Sequence, residues 1–233
     1  AVCEPDVLTT GAATFGRSPP PPPSHRSMPL NAMTDAADPP QVERVGSYVV
    51  GRTLGQGSFG KVRLGTHAQS GEKVALKFVD RNKLATEKDR TNLEREIRIL
   101  SMLEHRHVVQ LREHHELAEH NTVVLVMQLV DGSDLFEYII KNGRLKESAA
   151  ARMFRQIVSA LTYCHSRLVI HRDLKPENVL VDRAGDVFVN DFGLSNLMRP
   201  GEFLQTFCGS PHYCSPEIMR EKGYAGPEVD VWS

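Results

Sequence analysis

His171-Arg172-Asp173-Leu174-Lys175-Pro176-Glu177-Asn178, followed downstream by Asp191-Phe192-Gly193, is the stretch on which the reading of this chain turns. Apolar runs bracket it: Val169-Ile170 leads in and Val179-Leu180-Val181 leads out. A lone acid or amide in a loop is ordinarily a turn former. Here an acid (Asp173), an amide (Asn178) and a second acid (Asp191) stand in order between apolar segments, with Lys175 just past the first acid. Each residue suits transfer of a phosphoryl group. Asp173 can accept the proton of an attacking hydroxyl. Asn178 and Asp191 carry the oxygen donors that a hard Mg²⁺ ion prefers. Lys175 can neutralise charge on a transferring phosphate.

Working towards the N-terminus, Tyr48-Val49-Val50 and Val62-Arg63-Leu64 have strand character, and Lys73 to Val79 alternates with period two. Between the first two runs lies Gly55-Gln56-Gly57-Ser58-Phe59-Gly60. Such glycines also open dinucleotide-binding folds, but that reading requires a helix immediately afterwards. A strand follows instead. The glycines therefore fit a hairpin whose backbone, lacking Cβ atoms, approaches an anion closely. A charged helix comes next, with Leu93, Ile97 and Leu100 at i, i+4, i+7 and Ile99 and Leu103 widening the stripe. Glu96 sits beside that seam. His105, His107, His114, His115 and His120 cluster after it without the companions of a zinc site. Val123 to Met127 is a continuous apolar run, read as a buried strand. The chain then turns polar at Asp131-Gly132-Ser133-Asp134, where Ser133 or Asp134 can cap a helix that stops at Asn142-Gly143. In the longer helix beyond, Met153, Ile157 and Leu161 form one row and Phe154 and Val158 the row beside it.

The 233 residues, 40% of them hydrophobic, suffice for one sizeable core plus a tail. Residues 1–46 are read as that tail. Pro19 to Pro23 form an unbroken proline run, and the segment is too poor in apolar residues to offset the entropy of ordering. It is expected to be a solvated linker, or a polyproline II ligand for an aromatic groove. A formal net charge of −1 gives no reason to expect nucleic acid as a partner. No apolar run approaches the roughly 20 residues of a membrane span. Cys3, Cys164, Cys208 and Cys214 show no metal-like pairing, and a reducing compartment, cytoplasmic and/or nuclear, is expected.

The two motifs together resemble the catalytic loop and the metal-binding Asp-Phe-Gly of protein kinases. The resemblance covers residues 47–233. It implies an α+β, bilobal kinase fold: a small β-rich N-lobe (47–127), a hinge (128–132) and a larger helical C-lobe (133–233) that is incomplete here. It implies ATP as phosphate donor and Mg²⁺ held by Asn178 and Asp191. Asp173 becomes the catalytic base, assisted by Lys175. Val74-Ala75-Leu76-Lys77 matches the strand whose lysine holds the α- and β-phosphates, with Glu96 as its ion-pair partner and Glu94 as the fallback. The loop of Gly55, Gly57, Ser58, Phe59 and Gly60 covers the phosphates. Leu54, Val62, Ala75 and Leu180 sandwich the adenine. Met127 gates the pocket behind it, the backbones of Gln128 and Val130 bond its edge, and Asp134 reaches the ribose.

Gly201 to Pro211, with Asp191 to Met198 and Tyr163-Cys164-His165, resembles the AMP-activated / sucrose-non-fermenting-related branch of the calmodulin-kinase group. In that branch Thr206 is the site of an upstream activating kinase. A phosphothreonine carries close to two negative charges and seeks arginine, and Arg172 is the expected partner, an uncompensated cation until then. Asp-Leu-Lys-Pro-Glu-Asn marks protein substrates with Ser or Thr sites, and Glu177 implies a basic residue upstream of the target. Regulatory subunits are a further implied class of partner. The sequence departs from the family in four places. Arg106 replaces a usual Pro, and Asn190 replaces a small residue. Ser215-Pro216-Glu217 replaces Ala-Pro-Glu, with little expected effect. After Asp230, which tethers the catalytic loop from behind in the family, the sequence stops at Ser233, so an exposed apolar patch is expected. The alternative reading is a catalytically inactive nucleotide-binding scaffold. The complete set of lysine, helix glutamate, acid, amide and metal-binding acid argues against it.

Overall fold

The computed structural model describes residues 43–57, 60–198, 203–204, 208–220, 223–224 and 226–233. Ser58, Phe59 and Thr206, and residues 1–42 of the tail expected over residues 1–46, lie outside the described residues. The described residues open on a six-stranded antiparallel sheet of β1 (Arg44–Val45), β2 (Tyr48–Gly57), β3 (Gly60–His67), β4 (Lys73–Asp80), β5 (Leu111–Leu117) and β6 (Thr122–Gln128), in the order β1-β2-β3-β4-β6-β5. Helix α1 (Glu87–Met102) interrupts it between β4 and β5. After the sheet come β7 (Gly132–Asp134), α2 (Leu135–Asn142), α3 (Glu147–Ser166), β8 (Val169–Ile170), β9 (Val179–Asp182), β10 (Val187–Val189), β11 (Asn196–Leu197), α4 (Pro216–Met219) and α5 (Glu228–Trp232). Two small antiparallel sheets, β10-β9-β7 and β11-β8, shape the connections.

The strands alternate as their sequences dictate. Val74, Leu76 and Phe78 of β4, with Val124 and Val126 of β6, pack on Val45 and Tyr48 on one face. Val123, Leu125 and Met127 pack on the other with Leu93, Ile99 and Leu100 of α1. Strand β6 is thus covered on both faces, which is why it reads as an unbroken apolar run. Each such side chain contributes about 1.5–3 kcal/mol on burial. The sheet starts ahead of the boundary expected at residue 47. Val45 is fully buried, so Arg44–Val45 belongs to the folded part and not to the tail. Strand β5 carries His114 and His115 and follows no strand signal, because it is a polar edge strand paired on one side only.

Local chemistry fixes the helix ends. Thr86 Oγ1 accepts from the Asp89 N–H and Asp89 Oδ2 accepts from the Thr86 N–H, a capping box that starts α1. Asp134, one of the two candidate caps, starts α2, its Oδ1 accepting from the Glu137 N–H at 2.8 Å. Gly143 ends α2 with φ at 72°. The turn at Arg106 closes without a proline: His105 O accepts from the Val108 N–H at 3.0 Å, and His105 Nδ1 accepts from the His107 N–H at 3.1 Å. On α3, Met153 and Leu161 are buried, whereas Phe154 and Val158 are 67% and 43% exposed. Ile140, Val231 and Trp232 are exposed as well. Among the described residues no helix is long and apolar enough to cross a membrane.

Candidate active site

The site is assembled from three pieces. Strand β4 supplies Lys77, helix α1 supplies Glu96, and the segment from β8 to β11 supplies the rest. Lys77 Nζ donates to Glu96 Oε1 at 2.7 Å and lies 3.7 Å from Asp191 Oδ1. Glu96 is buried in the face of α1 that carries Leu93, Ile99 and Leu100. That helical register selects it over Glu94, which borders a separate groove with Arg90 and His114. Burial pulls the Lys77 pKa down, but the carboxylates of Glu96 and Asp191 outweigh it and the net shift is upward. Burial likewise pushes the half-exposed Asp191 up. The charges of Lys77 and His171, and the Gly193 N–H, outweigh it and hold that carboxyl below its ordinary value.

Asp173 sits at the centre of a dense array. Its Oδ1 accepts from both the N–H and the Oγ of Ser210, each at 2.8 Å. Its Oδ2 accepts from Asn178 Nδ2 at 3.0 Å and lies 3.0 Å from Lys175 Nζ. Lys175 Nζ also donates to Ser210 Oγ at 2.7 Å. Ser210 was not legible as a site residue: between Gly209 and Pro211 it reads only as a turn. A cavity of about 390 Å³ is lined by Gly60, Val62, Lys77, Glu96, Asp173, Lys175 and Asp191 among others. These residues come from separate parts of the chain and meet here.

Strand register relates several of the remaining candidates to one another. Gly55 faces Val62, Val62 faces Lys77, and Ala75 faces Met127. Asp134 faces Leu180. Ala75, Val130 and Leu180 are partly buried against the main core, and Leu54 is half-buried. The Gln128 N–H donates to Gln110 O at 2.8 Å. Asp134 Oδ1 caps α2, so its side chain is held by the start of that helix. Gly60 has a reason beyond anion approach: an added Cβ would lie 1.7 Å from Phe78 O, so no side chain fits there.

The loop is held from behind. Asp230, 2% exposed, accepts from the His171 N–H at 2.9 Å, the Arg172 N–H at 2.7 Å and His165 Nε2 at 2.8 Å. Burial would raise its pKa, yet the bond from His165 and the charge and N–H of His171 bring it below the ordinary value. Arg172, expected as an uncompensated cation, is anchored by hydrogen bonds to neutral groups: Nε donates to Leu194 O at 2.7 Å and Nη1 to Tyr224 Oη at 3.0 Å. Its hydrogen-bonding groups are met in part even though no carboxylate pairs with it among the described residues. Phe192 packs edge-on against His171, ring centres 4.9 Å apart. Ser215 also departs from expectation. Its Oγ is buried without a hydrogen-bond partner among the described residues, so serine there is not equivalent to alanine.

The protein kinase domain family matches residues 48–233. A relative named probable serine/threonine-protein kinase MARK-C, from Dictyostelium discoideum, is 47% identical over 194 residues, covering 83% of this chain and 25% of that protein. The chain thus spans about a quarter of the length of the curated relative it matches.

Proposed function

Because the chain belongs to the protein kinase family, we propose that it is the catalytic part of a Ser/Thr kinase that moves the γ-phosphate of ATP to protein hydroxyls. The observation that carries this reading is the Lys77–Glu96 pair at 2.7 Å, with Asp191 and Asp173 on the same cavity. Lys77 grips phosphate oxygens. Asp173 takes the proton of the incoming Ser or Thr hydroxyl, and Lys175 shields the charge between them. The donor set fits Mg²⁺. Asn178 turns its Nδ2 onto the Asp173 carbonyl and carboxylate, leaving Oδ1 as a ligand atom, and Asp191 supplies a carboxyl held below its ordinary value by Lys77. When bound there, the ion neutralises charge on the phosphates.

Finer features belong to the same proposal. The chain is a member of the AMP-activated / sucrose-non-fermenting-related branch, a reading supported by the resemblance of the motifs in its activation segment, residues 191–217. Thr206 is the target of an upstream kinase, with Arg172 as the phosphate's partner. Glu177 selects a basic residue before the target hydroxyl, residues 1–42 form a proline-rich tail, and the protein works in the cytoplasm or nucleus. The test is transfer from labelled Mg-ATP to a basic Ser/Thr peptide by the complete protein, beside Asp173→Asn. Loss of the base should lower the rate by about 10²–10⁴-fold, and Arg→Glu in the peptide should abolish turnover. Equal transfer by both proteins would remove Asp173 from its role. ATP binding without transfer would favour the scaffold reading.

A further inference from the structure

Tyr224 lies between α4 and α5, 3% exposed, and its sequence surroundings carry no catalytic signal. Its backbone makes a two-way bridge with Leu204: each N–H donates to the other's carbonyl at 2.9 Å. Its phenol oxygen accepts from Arg172 Nη1 at 3.0 Å and lies 4.0 Å from Cys208 Sγ. One residue thus touches the activation segment at Leu204 and Cys208 and the catalytic loop at Arg172. A guanidinium has five N–H donors in a rigid fork. Two of its nitrogens are fixed here, Nε on Leu194 O and Nη1 on the phenol, which sets the plane of the fork. The Arg172 main chain, at φ 67°, is tied to Asp230, and the next residue is Asp173.

From this geometry we propose that Tyr224 is a positioning residue for phosphoryl transfer. Its hydroxyl fixes Arg172, and through it Asp173, in register with the part of the activation segment that its backbone grips. The inference rests on the kinase reading above. Space-filling does not explain the hydroxyl, since phenylalanine would occupy the same volume and keep the Leu204 bridge. Tyr224 does not line the cavity that holds Lys77 and Asp191, so its influence falls on the transfer step and not on nucleotide binding.

The experiment compares wild type, Asp173→Asn, Tyr224→Phe, Arg172→Met and the Tyr224→Phe/Arg172→Met double variant in the complete protein. Rates are expressed per ATP-binding site, so unfolded protein does not count. Tyr224→Phe is expected to lower kcat about tenfold, the scale of one hydrogen bond to a charged group, with KM for ATP unchanged. In the Arg172→Met background it should change nothing further. Leu204→Pro, which removes the N–H donated to Tyr224 and spares the hydroxyl, is expected to lower kcat as well. An unchanged kcat in Tyr224→Phe overturns the proposal. So does an equal fall in both Arg172 backgrounds, because the hydroxyl would then act through another group. If wild type transfers no more phosphate than Asp173→Asn, the kinase reading fails and the positioning role fails with it.

Discussion

Replacing Asp230 by Asn should loosen the catalytic loop without changing side-chain volume. The carboxylate accepts three hydrogen bonds in a site closed to solvent: two at Oδ2, from the His171 N–H and His165 Nε2, and one at Oδ1, from the Arg172 N–H. An amide offers one acceptor oxygen and one NH₂. If its oxygen serves the two donors at the Oδ2 position, its NH₂ faces the Arg172 N–H, donor against donor. That leaves a buried backbone N–H without a partner, at about 1–3 kcal/mol. The two surviving bonds lose their charge assistance, roughly 1–2 kcal/mol together. The sum, about 2–5 kcal/mol, is a large part of the 5–15 kcal/mol that stabilises a typical domain. Arg172 adds a local reason for the loop to move. At φ 67° it occupies the left-handed region, where a side chain costs about 1–2 kcal/mol. With its N–H released, relaxation of that residue carries Asp173 away from Ser210 and Lys175. Urea unfolding followed by fluorescence, with phosphate transfer measured on the same samples, reads both effects. The unfolding midpoint should drop, and transfer should fall further than the loss of folded protein explains. A variant within about 0.5 kcal/mol of wild type, with transfer intact, would refute the claim that this carboxylate holds the loop.

Lys77→Met leaves Glu96, 7% exposed, as a buried carboxylate without its cation. Transfer should fall by at least about 10²-fold, and a rate within a factor of a few of wild type would contradict the role given to Lys77. Ser215→Ala removes a buried hydroxyl that has no partner among the described residues, and is expected to stabilise the protein by about 1 kcal/mol. A fall in the unfolding midpoint would instead reveal a partner for the hydroxyl. The Asp230 carboxyl is held below its ordinary value of 3.8, so its contribution is present above that pH and is lost as pH falls through the native value. Stability should therefore drop less steeply below about pH 4 in Asp230→Asn than in wild type. Parallel acid limbs would show that Asp230 does not drive the acid transition.

What was legible in the sequence was residue chemistry at fixed spacing, together with elements whose apolar pattern is strong. Strand β6 and helix α1 follow from period and run length. The Lys77–Glu96 choice over Glu94 follows from which side of α1 carries Leu93 and Leu100. What escaped depends on contacts distant in sequence. Strand β5 is polar because its hydrogen bonds to β6, and not its side chains, hold it at the edge. Ser210 and Tyr224 look like a turn residue and a stray aromatic. Their importance comes from Asp173 and Arg172, residues that only the fold brings beside them. Val45 sits in a polar neighbourhood, and composition averaged over that neighbourhood hid one fully buried side chain.

Backbone strain shows how those distant contacts act on the site. Among the described residues, Asn121, Leu168, Arg172 and Asp191 are the non-glycine residues with positive φ. Leu168 and Arg172 lie between the end of α3 and the Asp191-Phe192-Gly193 motif, and Asp191 opens that motif. Local sequence does not favour such conformations at Leu or Arg, so the surrounding structure must impose them. Each has its restraint. Leu168 O accepts from the Met198 N–H at 2.7 Å, Arg172 is tied to Asp230, and Asp191 lies 3.7 Å from Lys77 Nζ. Gly209, at φ 99°, completes the arrangement: an added Cβ would lie 2.6 Å from Arg172 O. Glycine there lets the chain around Gly209 press directly on the residue before Asp173. The conformation of Arg172 is therefore fixed from two sides, by α5 through Asp230 and by the activation segment through Gly209 and Tyr224. A displacement of α5 reaches Asp173 through the backbone of this strained residue, and a displacement on the other side reaches it both that way and directly through Ser210.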